Sequence, residues 1–459
     1  MLRKFSLWTL ILLTLFITGC NNEKGNNLYI GAEGSYNEEV NLTLLNNLYI
    51  GLFKYDENNK AIPVLAETYS YSEDGKKMSI KIKEGFQWSD GTPITPQDVA
   101  EGLKNVMNNY LGKYTYQYGY LDNKVEDNIR INEEGILEIS LKKEFTDFEK
   151  VLALPFYYPI KNTEDILGGP FSGNFIVEKK SGNKIILSEQ DKEKAIAENR
   201  TESIVIEQNL ETEKLIKGYQ EKNFDIIFPV ENTDVIKGEK ITSPGITLLW
   251  INSRNSELEN IETRKAIYQS IDKINGIYPS VYREDNSSEK ANISTTYSLA
   301  NLAPKILVLD LESEIKTAEK IVQQLSKKMD ISPEVVAKPL EEYFADLKTG
   351  NFDLALETWE GDYFGKNAFF ELFKNPLNNP LNVSGLIVPE INELQNKVNK
   401  IADSQEREVL FTELENKILQ SVPAVIIAEG INKEVYLQRV KNIYVNSIYN
   451  YHDYSNIEY

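Results

Sequence analysis

Residues 85–99 read GFQWSDGTPITPQDV, a strand end, a tight turn and a helix start in one short stretch. Ser89, Asp90, Gly91 and Thr92 have turn chemistry, because Asp bonds its own backbone and Gly tolerates positive φ. Thr95 reads as a helix N-cap, and Pro96 fits the first helical position, where no backbone donor is needed. Asp98, at the third position, accepts a backbone donor and complements the helix dipole. Upstream, residues 78–82 (MSIKI) alternate strictly, as a half-buried strand does, and residues 137–141 (LEISL) do the same. This is structure, with no chemistry of its own.

Working outward, residues 28–32, 184–187, 204–206, 224–228 and 246–251 read as short strands, and residues 42–53 have helical apolar spacing. The second half changes style. Strands at 306–309 and 352–356 alternate with helices at 262–271, 313–329 and 340–349, and two more helices follow within 391–420. That alternation predicts an α/β lobe whose sheet is covered on both faces. The tail from Ala424 returns to short strands and is expected to rejoin the first half.

Composition excludes several functions. The chain has 459 residues, enough for more than one domain, and a formal charge of −20. An acidic surface argues against nucleic acid, which needs a basic one. The single histidine, His452, makes a histidine-based metal site untenable and leaves a Ser-His-Asp triad one candidate base, which reads as a tail residue packed among tyrosines. Cys20 is the only cysteine, so no disulfide forms within the chain. Arg3 and Lys4 precede an apolar run at 7–17, and Thr18 and Gly19 lead to Cys20: the layout of a secretory signal, too short to span a bilayer stably. The ending Ile17-Thr18-Gly19-Cys20 resembles the lipobox of bacterial lipoproteins, which implies a signal at 1–19, lipidation of Cys20 and tethering of the chain to a membrane through that lipid. Residues 20–27 then read as a flexible leash.

Trp88, Asp90, Gly91, Pro93, Thr95, Asp98 and Val99 match the pattern W-x-D-G-x-P-x-T-x-x-D-V. In this the chain resembles the extracellular peptide-binding proteins that serve ABC importers, solute-binding family 5. PVLAE at 63–67, the stretch from Gly169-Pro170-Phe171 to Leu187, residues 250–272 and PAVI at 423–426 agree with that resemblance in order. Two places depart from it: Gly34-Ser35-Tyr36-Asn37 stands in a shortened loop, and residues 275–303 are short and polar. The resemblance implies an α/β, two-lobe periplasmic-binding-protein-like fold (type II, cluster C) with an extra subdomain inserted in the first lobe. The expected division is lobe I at 28–52, 155–245 and 431–459, the inserted subdomain at 53–154, and lobe II at 246–430. It further implies a monomer that closes over a short peptide and hands it to the transmembrane subunits and ATPases of a permease, with no cofactor, no metal and no catalysis.

The expected site is TWEGDYFGKNAFF, residues 358–370, directly after a strand, where open α/β sheets bind ligands. By the resemblance, Asp362 pairs with the peptide's α-ammonium, with Trp359 three residues before it. A desolvated carboxylate needs such a cation, although aspartate also serves as a plain turn or cap residue. Thr358, Trp359 and Glu360 are expected to give main-chain contacts to the ligand as an added strand, and Asn37, Glu38 and Glu39 the opposing edge. Tyr114, Tyr116, Tyr118 and Tyr120 alternate, so an extended segment would put them on one face; Tyr116 and Tyr118 are taken as pocket candidates beside a plain packing role. For the ligand's carboxylate, Arg254 and Arg283 are the candidate cations. Three other readings stay open: a receptor of the same fold for an oligosaccharide or metal chelate, a glycoside hydrolase working through paired carboxylates, and a surface adhesin or signalling receptor that kept the fold and lost transport.

Overall fold

The computed structural model describes residues 26–34, 38–110, 121, 125–162, 164–228, 236–273, 277–282, 303–377, 379–402, 404–455 and 457. Cys20, Asn37, Tyr114, Tyr116, Tyr118, Tyr120 and Arg283 lie outside them, as does the side-chain environment of Glu38 and Glu39.

Ten strands form one continuous sheet, in the order Glu334–Lys338, Lys305–Leu309, Leu354–Trp359, Glu239–Ile251, Ala424–Leu437, Ile226–Phe228, Asn27–Glu33, Ser203–Leu210, Lys184–Glu189 and Phe175–Ser181. The outer strands of the two ends belong to different parts of the chain. At one end are the strands of the second half; at the other, strands from residues 27 to 228. Between them, Glu239–Ile251 pairs with Leu354–Trp359 and Ala424–Leu437 pairs with Ile226–Phe228. Glu239–Ile251 and Ala424–Leu437 pair with each other antiparallel, from Glu239 with Val435 to Trp250 with Ala424, with register shifts between Ser243 and Ile246 and between Thr247 and Leu248. Pro244 and Gly245 sit in the first irregularity. Gly430, at φ 78°, faces it on the partner strand. A Cβ on Gly245 would lie 2.0 Å from the Ile431 side chain, so glycine there lets the strands approach.

A separate four-stranded sheet, Ala66–Tyr71, Lys77–Ile82, Leu137–Ser140 and Ile129–Ile131, carries the opening motif. The expected cap is present. Thr95 Oγ1 accepts from the Asp98 amide at 3.1 Å, and Asp98 Oδ2 accepts from the Thr95 amide at 2.9 Å, at the head of the helix Pro96–Tyr110. Trp88 is buried behind it.

The second-half sheet is covered on both faces as expected. Leu354 and Leu356 pack with Ile321 and Leu325 of the helix Glu312–Met329. Ala355 faces the other way, into the main core with Trp250 and Phe370. The tail rejoins the first half: Asn47 Nδ2 donates to the His452 carbonyl at 2.9 Å. His452 is buried against Phe228 and Tyr454, at 4.8 and 6.0 Å between ring centroids, and burial holds its imidazole neutral at a pKa of about 3.

Two expectations are corrected. Residues 352–356 were to be a strand with 358–360 beyond it; the strand instead runs Leu354–Trp359, because pairing of Thr358 with Thr247 and Trp359 with Ile246 prolongs it. Residues 42–53 were to be one helix; the helix is Glu38–Leu48, and Phe53 opens a short strand.

The first and second halves are joined by an ion pair as well as by the crossing strands. Asp147 and Arg407 are each 1% exposed. Arg407 Nη1 donates to Asp147 Oδ1 at 2.9 Å, and Arg407 Nη2 donates to Oδ2. Lys150 and Asn367 complete the shell, at 2.7 and 3.1 Å. Burial pushes the Asp147 carboxyl up, but the Arg407 and Lys150 charges outweigh it and hold the group well below the usual range. Asp147→Asn leaves a buried guanidinium short of its counter-charge, and is expected to lower stability by about 3–5 kcal/mol in a denaturant titration. A loss below about 1 kcal/mol would show the pair to be dispensable.

Candidate functional site

The strand Leu354–Trp359 bonds on both edges only at its start. Its pairing with Lys305–Leu309 involves Leu354 and Ala355, whereas its pairing with Glu239–Ile251 continues to Trp359. Among the described residues, Thr358 and Trp359 therefore leave one backbone edge outside any ladder. Gly361, at φ 83°, then turns the chain into Asp362, a conformation that favours glycine.

Asp362 is in an unusual state. Its Oδ2 is buried and meets no hydrogen-bond donor among the described residues. Burial, and then the charge of Glu371, push its carboxyl up to about 7. Its backbone is tied down, since the Tyr449 hydroxyl donates to its carbonyl at 3.2 Å. A buried carboxyl without a partner is costly unless neutral or matched by a cation.

The other expected residues divide. Trp359 Nε1 is also buried, without a partner among the described residues. Thr358 lies on the opposite face, its Oγ1 3.2 Å from Thr247 Oγ1. Glu360 is engaged: Lys433 Nζ donates to its Oε2 at 2.6 Å and Ser243 at 3.3 Å, which ties the segment to both crossing strands. Glu38 and Glu39 begin a helix, so they offer helix-end amides rather than a strand edge. Arg254 donates to the Val383 carbonyl at 2.9 Å and packs over Gly350 and Gly385, a structural role away from the cleft.

A cavity of about 810 Å³ opens beside this segment. Its floor is the irregular part of the crossing strands, residues 242–244 with Glu429 and Gly430. One wall is residues 58–61 with Tyr69, Asp147, Glu149 and Lys150. Adjoining it, where Asp147 bonds Arg407 and Asn367, are residues 364–367 with Arg407, Glu408 and Phe411. Asp362 itself stands behind this wall, next to Tyr363 and Phe364, and is not among the lining residues. The volume lies within the usual range of small-molecule pockets.

Sequence reading missed the polar wall. Asp147 precedes the helix Phe148–Leu152 and looks like a cap, yet its side chain caps nothing; it is committed to Arg407, 260 positions away. Glu149 Oε2 accepts from the Tyr71 hydroxyl at 2.5 Å, and burial together with the Asp147 charge lifts it to about 7. Lys366 pairs with Glu408, and Glu429 accepts from the Ser280 amide and hydroxyl at 2.7 and 2.8 Å. No local pattern announces these pairings. Among the described residues no group of three His, Cys, Asp or Glu side chains is placed to hold a metal, and no helix is long and apolar enough to cross a membrane.

Comparison with known proteins places the chain in a family. The chain is 22% identical to the oligopeptide-binding protein OppA of Bacillus subtilis, over 85% of this chain and 83% of that protein. It is 20% identical to the dipeptide-binding protein DppE of the same organism, over 87% and 84%. Its fold matches that of HbpA2 from Haemophilus parasuis, with TM-score 0.76 and 14% identity over 94% of this chain and 99% of that one. It also matches the murein tripeptide-binding protein MppA in its unliganded open form, with TM-score 0.74 and 15% identity over 91% and 94%. These neighbours share the expected two-lobe type II architecture. Residues 60–306 match the model of the bacterial extracellular solute-binding proteins, family 5. The chain belongs to that family.

Proposed function

We propose that this chain is the substrate-binding lipoprotein of an ABC importer, exported, anchored through lipid on Cys20, and free of catalytic activity. It captures short peptides between two lobes by closure about the crossing strands and delivers them to a membrane permease with its ATPases. The lobe boundaries are those expected from the sequence, with residues 53–154 as the inserted subdomain. The observation that carries this reading is Asp362 Oδ2, buried and without a donor among the described residues, just past the end of a strand with one open edge and beside a cavity of about 810 Å³. A peptide supplies both missing partners: its α-ammonium for the carboxylate, and its backbone for the strand edge. Trp359 and the edge at Thr358 flank the ligand's first residues; Tyr116 and Tyr118 are kept as pocket candidates, and Asn37 as a contact from the first lobe. No observation favours the sugar, chelate or hydrolase readings.

Calorimetric titration with tri- and tetrapeptides tests this. Asp362→Ala is expected to weaken binding by about 2 kcal/mol or more, and acetylation of the peptide's α-amine to weaken wild type similarly. Equal affinity for blocked and free peptides would remove Asp362 as the anchor.

The pH dependence has a definite sign. Asp362 titrates at about 7 in the empty protein, and a bound ammonium stabilises only its ionised form. Between pH 6 and 7.5 the cost of ionising it disappears while the peptide ammonium, with a pKa near 8, stays mostly charged, so affinity should rise by about five-fold. Calorimetry on Asp362→Asn is expected to show that rise lost; an unchanged pH profile in the variant contradicts the assignment.

A further inference from the structure

The side chain of Glu360 reaches across the break in the crossing strands. Trp359 pairs with Ile246, so Glu360 follows opposite Gly245, where a Cβ would lie 3.1 Å from the Trp359 carbonyl oxygen. On the other side of the break Ser243 pairs with Ile431, and Ile241 with Lys433 two residues further on. Glu360 therefore leaves the second-half sheet, passes the break and meets Ser243 and Lys433 on the first-half side, at 3.3 and 2.6 Å. The Lys433 and Glu360 side chains are 22% and 25% exposed, so water screens the pair only in part.

Lys433 holds more than Glu360. The same Nζ donates to the Ile448 carbonyl at 2.5 Å, in the tail that rejoins the first half. That part of the tail is a preset turn. The buried Asn446 side chain accepts from the Ile448 and Tyr449 amides at 3.1 and 2.8 Å, and the Tyr449 ring packs edge-on against Phe156 at 5.4 Å. Tyr449 in turn donates to the Asp362 carbonyl. One turn of the tail is thus tied to both ends of Glu360–Asp362, through Lys433 at one end and through its own hydroxyl at the other. Between those ends stands Gly361, whose conformational freedom would not by itself aim Asp362. Neither Lys433 nor Tyr449 meets Asp362 Oδ2, which has no donor among the described residues, so both act on the backbone that carries it.

We infer that Lys433 is a positioning residue of the peptide site. By clamping Glu360 to the tail across the break, it fixes the backbone that aims the Asp362 carboxylate and ties that aim to the angle between the two halves. This rests on the reading of Asp362 as the partner of the ligand's α-ammonium. Bending at the break pulls Glu360 away from Ser243 and Lys433, so the ammonium site is assembled only at the angle at which the clamp is made. A peptide held by Asp362 favours that angle to the same extent that the clamp favours the peptide.

The test is calorimetric titration of the purified chain with tri-alanine and N-acetyl-tri-alanine. Wild type should bind the free amine about thirtyfold or more tightly than the acetylated peptide. Lys433→Met should weaken the free peptide about tenfold and leave the acetylated one within about twofold, so that most of the preference is lost. Lys433→Gln carries the same expectation. Lys433→Arg, which keeps donors for both Glu360 and the Ile448 carbonyl, should restore the preference, which loss of packing alone would not allow. Tyr449→Phe removes only the hydroxyl; it should weaken the free peptide about threefold and spare the acetylated one, and it decides the question alone should neither neutral Lys433 variant fold. Equal losses for the two peptides, or a preference that survives intact in these variants, overturn the positioning role while leaving peptide binding standing. A wild type that binds the two peptides alike overturns instead the reading of Asp362 on which the role rests.

Discussion

Two long strands, Glu239–Ile251 and Ala424–Leu437, hold the molecule together, and the cleft exists because their pairing is imperfect. A regular antiparallel ladder would be a stiff plank. Here the register shifts around Pro244 and Gly245, and Gly430 takes a positive φ on the facing strand. The strands therefore bend where they form the floor of the cavity, and few backbone bonds fix the angle between the lobes at that point. The rest of the site is built on their ends. Thr358 and Trp359 are strand residues only because Thr247 and Ile246 pair with them, and Glu360 is placed by Ser243 and Lys433, one from each crossing strand.

Around this floor the protein treats its buried charges in two ways. Asp147 is saturated, with a bidentate guanidinium, an ammonium and an amide. Asp362 keeps Oδ2 without a donor among the described residues, and its carboxyl is pushed up to about 7. The first arrangement holds the walls in register. On the proposed reading the second is unfavourable in the empty molecule and a ligand cation relieves it. A ligand drives closure only by as much as it binds the closed form better than the open one.

What the sequence discloses is local or periodic. The cap formed by Thr95 and Asp98 could be read because both partners lie within four residues. The alternation of apolar strands and amphipathic helices disclosed the second lobe and the covering of its sheet on both faces. The end of the strand at Trp359 was hidden, because its length is set by hydrogen bonds to a segment more than a hundred positions away. The pairing of Asp147 with Arg407 spans 260 positions and leaves no periodic trace, so the polar wall and the place of Lys150 came only with the structure. Asp362 was legible through the family resemblance alone; its spacing would have passed as an ordinary turn.

The central claim is that this cleft holds a short peptide through Asp362. Native mass spectrometry of the chain from residue 21 onward, purified without refolding, tests it most directly. The account predicts added masses that match short peptides in wild type and are lost in Asp362→Ala. A chain that carries a sugar or chelate, or peptides that remain bound when Asp362 is replaced, would contradict it.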